Sequence, residues 1–117
     1  MPKTASSAPD VPPSILDAIS RFRTLIEAGF GDRLLDVRLF GSHARGEPGP
    51  RSDVDVLVVI RDLVHRDRTS VYDLAFDVYA DTRLRIAPFA LSQAEWAELR
   101  ARELLIAQDI ERDGIAV

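Results

Sequence analysis

The stretch Asp53-Val54-Asp55-Val56-Leu57-Val58-Val59-Ile60 constrains this chain more than any other. Its second half is an unbroken apolar run of β-formers, the pattern of a strand covered on both faces. Two carboxylates spaced two apart open that run. Burying such groups is costly unless a cation or hydrogen bonds compensate. Upstream stands Gly41-Ser42-His43-Ala44-Arg45-Gly46, a small turn with a hydroxyl and free backbone N–H groups. The simplest compensation for the acids is a hard divalent metal. The simplest partner for the turn is a phosphate.

Composition narrows the setting. With 117 residues, 46% hydrophobic and 29% charged, the chain has the make-up of one ordinary globular domain. There are no cysteines, so neither a disulfide framework nor a thiolate metal site can form, which fits a reducing cytoplasm. No apolar run approaches the ~20 residues of a membrane span. Residues 1–13 have no apolar segment of signal-peptide type and read as a flexible leader, with residues 14–117 as a single domain. The net charge of −4 gives no strong nucleic-acid signature, because duplex binders need a basic face.

Periodicity predicts a first helix from Pro13 to Ala28, with Ile15, Ala18, Ile19, Phe22, Leu25 and Ile26 on one face and Gly29-Phe30-Gly31 at its end. Leu34 to Phe40 reads as a strand. Ser42 is placed to cap a short helix over residues 43–46. Two prolines and a glycine make Glu47 to Arg51 a loop. Asp53 to Arg61 is the second strand, and Arg66 to Ala80 a helix with Val71, Leu74, Ala75 and Val78 facing in. Leu84 to Leu91 is a third strand, in which Pro88 implies an edge position or a break in pairing. Ser92-Gln93-Ala94-Glu95 is a capping-box signature for one last helix reaching Asp113. The loop between the first two strands cannot hold a crossover helix, which favours antiparallel or mixed pairing there. The fold class is therefore α/β, a small mixed, largely antiparallel sheet flanked by helices.

Strand alternation projects Asp53 and Asp55 to one side, their Cα atoms about 6–7 Å apart. All-oxygen ligands suit Mg2+ or Mn2+, and Mg2+ is commonly held by one or two carboxylates plus substrate phosphates. Gly41 lets a phosphate approach the backbone, Ser42 donates to it, and Arg45 and Arg51 add charge-assisted hydrogen bonds. Ser52, just before the first acid, completes the candidate phosphate-binding set of Gly41, Ser42, Arg45 and Ser52.

Gly41-Ser42, ten residues, then Asp53-x-Asp55 resembles the signature of the polymerase β nucleotidyltransferase superfamily. The full string GSHARGEPGPRSDVDVLVV is similar to the minimal nucleotidyltransferases often encoded beside a HEPN-type toxin. The resemblance implies the superfamily fold, a triphosphate held by Gly41 and Ser42, and Mg2+ on Asp53 and Asp55 as catalytic acids. It implies transfer of a nucleoside monophosphate, AMP from ATP being the first choice, to a hydroxyl of a partner protein, with the chain acting as an antitoxin.

The superfamily pattern usually adds a third carboxylate from the next core strand. Here that strand, Arg83 to Phe89, has no acid, and the corresponding positions are Arg85 and Ala87. Two other readings follow. One is a weak or inactive nucleotide-binding module that neutralises a toxin by contact. The other is a small-molecule nucleotidyltransferase working as a homodimer.

Other features read as structural. Asp73, Asp77 and Asp81 form a solvated helix face, with Asp81 near enough to the helix end to approach the site. His43 is a minor candidate for substrate contact, and His65 a helix-start residue. Trp96, Leu99, Ile106 and Ile110 read as core, while Leu104-Leu105-Ile106 offers an interface.

Overall fold

The computed structural model describes residues 3–4, 11–46 and 53–117. In chain order they form β1 (Lys3–Thr4), α1 (Pro13–Phe30), a 3-10 turn (Gly31–Arg33), β2 (Leu34–Phe40), β3 (Val54–Ile60), α2 (His65–Thr82), β4 (Ile86–Leu91), α3 (Gln93–Ala101), α4 (Leu105–Asp113) and β5 (Ile115–Ala116). None of the described helices is long and apolar enough to cross a membrane.

One five-stranded sheet runs in the order β1-β5-β2-β3-β4. β2 pairs antiparallel with β3 and with β5, while β3–β4 and β1–β5 are parallel. The sheet is thus mixed, as expected, with two parallel and two antiparallel pairs, and β4 is one of its two edges. The carbonyl of Arg85 turns inward to accept from the Val54 N–H at 2.8 Å. By alternation, Pro88 turns its proton-less nitrogen to the open edge, where no ladder bond is lost.

Side-chain alternation along β3 builds two cores. Val54, Val56, Val58 and Ile60 face α1 and α2, where Ile19, Phe22, Ile26, Val71 and Val78 meet them fully buried. Leu57 and Val59 face the other way, under Trp96, Ala107 and Ile110 of α3 and α4. Asp55 shares that second face by alternation but is only half-buried.

Three sequence expectations change. Residues 43–46 form a turn, not a helix capped by Ser42. The Arg45 N–H reaches the Gly41 carbonyl at 3.2 Å and the Gly46 N–H that of His43 at 3.3 Å, then Gly46, at φ +73°, leaves the helical path. The last helix is two helices. Ser92 and Glu95 form the expected reciprocal cap, but α3 ends where Leu104 N–H bonds to Leu99 O at 3.3 Å and Glu103 N–H to Arg100 O at 3.1 Å. That is a Schellman ending, with Glu103 at φ +51° in the place glycine usually takes. The break turns Ala107 and Ile110 inward, but Ile106 stays 39% exposed and so is not core. Finally, the chain continues past Asp113 into β5, whose Ile115 is buried beside β2. At the other end, β1 pairs with β5, and Val11 is buried against the first core.

Candidate functional site

The register of β2 and β3 builds the site. Phe40, the last residue of β2, lies opposite Asp55, so the chain enters the Gly41 turn directly beside that carboxylate. Gly41 sits at φ +76°, a conformation that L side chains rarely adopt. A Cβ placed there would collide with Asp55 Oδ2 and stand 3.2 Å from its Cγ. Glycine is therefore required twice, by backbone conformation and by the approach of the acid. The Asp55 carboxylate takes the space a Cβ would fill, so Gly41 brings the backbone of the turn directly against that acid.

Asp53 is exposed at the mouth of β3 and Asp55 is half-buried behind it. Burial, and then the like charge of Asp53, hold the Asp55 carboxyl above the usual aspartate range, while His43 and Arg45 pull it down. A cation would remove both penalties at once. The donor chemistry fits a hard divalent ion that takes its other ligands from phosphate oxygens and water. Among the described residues, no group of three or more His, Cys, Asp or Glu side chains is arranged to hold a metal.

The sequence candidates divide as follows. Gly41, Ser42, Asp53 and Asp55 come together at one end of the β2–β3 pair. Arg45 is exposed in the same turn, and its charge is felt at Asp55. Ser52 and Arg51 lie outside the described residues. His43 is buried beneath the turn, 8% exposed, and acts on Asp55 through its charge. Asp81 does not approach the site; it pairs with Arg21 of α1. Asp73 and Asp77 are exposed, and His65 opens α2, as expected.

Ala87 lies in register with Asp55 across the parallel β3–β4 pair. It occupies the neighbouring point on the same face where a third carboxylate would complete a triad, and it carries only a methyl group.

On the β4 side, Asp53 also lines a groove of about 450 Å3 with Tyr72, Phe76, Tyr79, Arg85 and Ala87. Sequence reasoning missed its aromatic wall. The signal was present as a second stripe on α2, Tyr72, Phe76 and Tyr79 at i, i+4 and i+7, beside the stripe that packs inward.

The fold agrees with that of known proteins. The family model of the nucleotidyltransferase domain matches residues 19–116. Two proteins of Methanocaldococcus jannaschii named "Putative protein adenylyltransferase", MJ0141 and MJ1305, are 41% identical over 49 residues and 40% identical over 62. Those stretches cover 42% and 50% of this chain, and about half the length of the relatives, 50% and 42%. Among solved structures, one described as "putative minimal nucleotidyltransferase" superposes with TM-score 0.58 at 21% identity, covering 88% of this chain and 95% of that one. The MntA–HepT toxin–antitoxin gives 0.52 at 17% identity, covering 86% and 68%. A toxin–antitoxin with AMP-PNP gives 0.53 at 20%, covering 81% and 68%. At these identities the structures share the fold. With the family model spanning most of its length, this chain belongs to the nucleotidyltransferase domain family.

Proposed function

We propose that the chain is a Mg2+-dependent nucleotidyltransferase that moves AMP from ATP to a hydroxyl of a partner protein, in a cytoplasmic toxin–antitoxin setting. The observation that carries this is the meeting of Gly41 with Asp55, beside Asp53, at one end of the β2–β3 pair. The names of the archaeal relatives favour a protein acceptor. The toxin–antitoxin structures of the same fold, one holding AMP-PNP, favour an adenine nucleotide and a HEPN-like or other toxin as partner.

In this reading Gly41 admits the triphosphate to the backbone, and Ser42 and the N–H groups of the turn donate to its oxygens. Arg45 adds positive charge on the same side. Asp53 and Asp55 hold the cation, Mg2+ or Mn2+, whose chemistry is to neutralise phosphate charge in an in-line displacement. The acceptor oxygen bonds to the α-phosphorus as the bond to the bridging β-phosphate oxygen breaks, and pyrophosphate leaves. The acceptor's proton passes to water, since β4 offers no carboxylate and Ala87 stands at the facing position.

That same alanine favours a second reading, a nucleotide-binding module that neutralises its partner by contact and turns over slowly or not at all. Calorimetry and intact mass separate the two. ATP is expected to bind more tightly with Mg2+ than with EDTA, and the Asp53→Asn/Asp55→Asn variant to lose that increment. Equal ATP affinity in the two proteins would overturn both readings. Addition of AMP to a co-expressed partner would decide for transfer. Neutralisation preserved in the double variant, without AMP addition, would decide for the module.

A further inference from the structure

We propose that the groove between α2 and β4 is the acceptor-side docking site, receiving an acidic, apolar-anchored segment of the partner protein that presents its hydroxyl at Asp53. This rests on the nucleotide-transfer reading and adds to it where the acceptor enters and by what chemistry it is selected.

The first argument is directional. β3 lies between β2 and β4, and the phosphate turn is on the β2 side. In an in-line displacement the attacking oxygen arrives opposite the leaving group. Pyrophosphate held at Gly41 therefore puts the acceptor on the β4 side, where the groove shares Asp53 with the site.

The second argument concerns the wall. Phe76 is 67% exposed and Tyr72 51%, although the adjacent Val71, Ala75 and Val78 of α2 are buried. Phe76 and Tyr79 lie with ring centroids 6.3 Å apart. This is apolar surface left uncovered beside a candidate catalytic carboxylate. Its volume, about 450 Å3, suits one or two side chains and not a folded element.

Charge selects the occupant. The guanidinium groups of Arg83 and Arg85 stand 5.7 and 5.8 Å from the centroid of the Tyr79 ring, so a fixed positive rim borders the apolar wall. Acidic residues flanking an apolar anchor complement it. A long polyanion such as RNA is disfavoured by the net charge of −4. Strand addition is disfavoured too. Pro88 offers no N–H to the open edge, and Arg68 Nε already donates to Ala90 O there at 3.2 Å. Docking is therefore through side chains.

The test uses the 15N-labelled full chain with Mg2+ and AMP-PNP, titrated with the peptide Ac-EELSEE-NH2 and its counterpart Ac-KKLSKK-NH2. The acidic peptide is expected to shift amides between Tyr72 and Tyr79 and from Arg85 to Ala87, and the basic one not to. Phe76→Ala should weaken the acidic peptide about tenfold, as expected for losing burial of one large apolar side chain. It should leave both the melting temperature and the affinity for Mg–ATP unchanged. Arg85→Ala should abolish the preference for the acidic peptide. The proposal is overturned if neither peptide shifts the groove, if shifts gather at Leu104 to Ile106 instead, or if oligoadenylate RNA takes the groove in their place. It is equally overturned if Phe76→Ala weakens Mg–ATP, which would make the groove a base pocket. Failure of the wild-type chain to bind Mg–ATP, measured before any peptide is added, would instead break the nucleotide-transfer reading.

Discussion

The two faces of the sheet are covered unequally. On the face of α1 and α2, every inward position of β3 from Val54 to Ile60 is buried against helix. On the other face, α3 and α4 cover Leu57 and Val59 but stop short of Asp55 and Asp53. One strand thus carries a continuous core on one side and a core that gives way to an acidic site on the other. The first face holds the fold together. The second gives up apolar burial at one end, and what stands there is a pair of carboxylates, where the burial of Asp55 and the like charge of Asp53 make ionisation of Asp55 costly.

The largest expected effect breaks the covered face. Phe22 is fully buried between α1 and β3. Phe22→Ala should cost about 3–5 kcal/mol in urea unfolding, by lost transfer energy plus a cavity. A cost below ~1 kcal/mol would show that this face is not the main core.

Ala87 sharpens the comparison on the open face. Ala87→Asp places a carboxylate in register with Asp55. General-base assistance is worth typically about 10²–10⁴-fold, so single-turnover transfer of labelled AMP to the partner should rise within that range. No rise would show that the partner or another group already serves as base.

How much of this was legible follows from the same contrast. β3 and its acids could be read because a run of β-formers with charges at only one end has few other uses. Pro88 narrowed its strand to an edge position or a break in pairing, and Ser92 with Glu95 gave the start of α3. The α3–α4 break could not be read, because its left-handed residue is Glu103 and nothing local favours glutamate there. β5 escaped because two residues carry no period, and their pairing with β2 depends on contacts distant in sequence. In the site, the turn and both aspartates were legible from spacing. The aromatic groove was not taken up, because the inward stripe of α2 already accounted for the helix. That Asp81 turns to Arg21 depends on how α1 and α2 pack.

Ser42→Ala tests the phosphate turn. Loss of one hydrogen bond to a charged acceptor should weaken Mg–ATP binding by about 1.5–3 kcal/mol, with the melting temperature unchanged because the turn lies beyond the end of β2. Unaltered calorimetric affinity would remove Ser42 from the phosphate set.

The smallest effect is a matter of sign. At Asp55 the open face works against the fold, because burial and Asp53 raise its pKa above the usual aspartate value. A raised folded-state pKa means that the native state favours the protonated acid. The stability this contributes is fully present below the unfolded-state pKa and is lost as pH rises through the folded one. As the pH rises through that titration, the ligand-free protein ionises Asp55 at a cost. Asp55→Asn removes that titration while keeping the shape. Its melting temperature should exceed that of wild type at pH 7, and the gap should shrink as the pH is lowered through Asp55's titration. Excess Mg2+ with ATP should reverse the order by stabilising wild type alone. A variant less stable than wild type at neutral pH without ligand would mean that the contact with Gly41 holds the fold, and that the acidic end of β3 costs nothing.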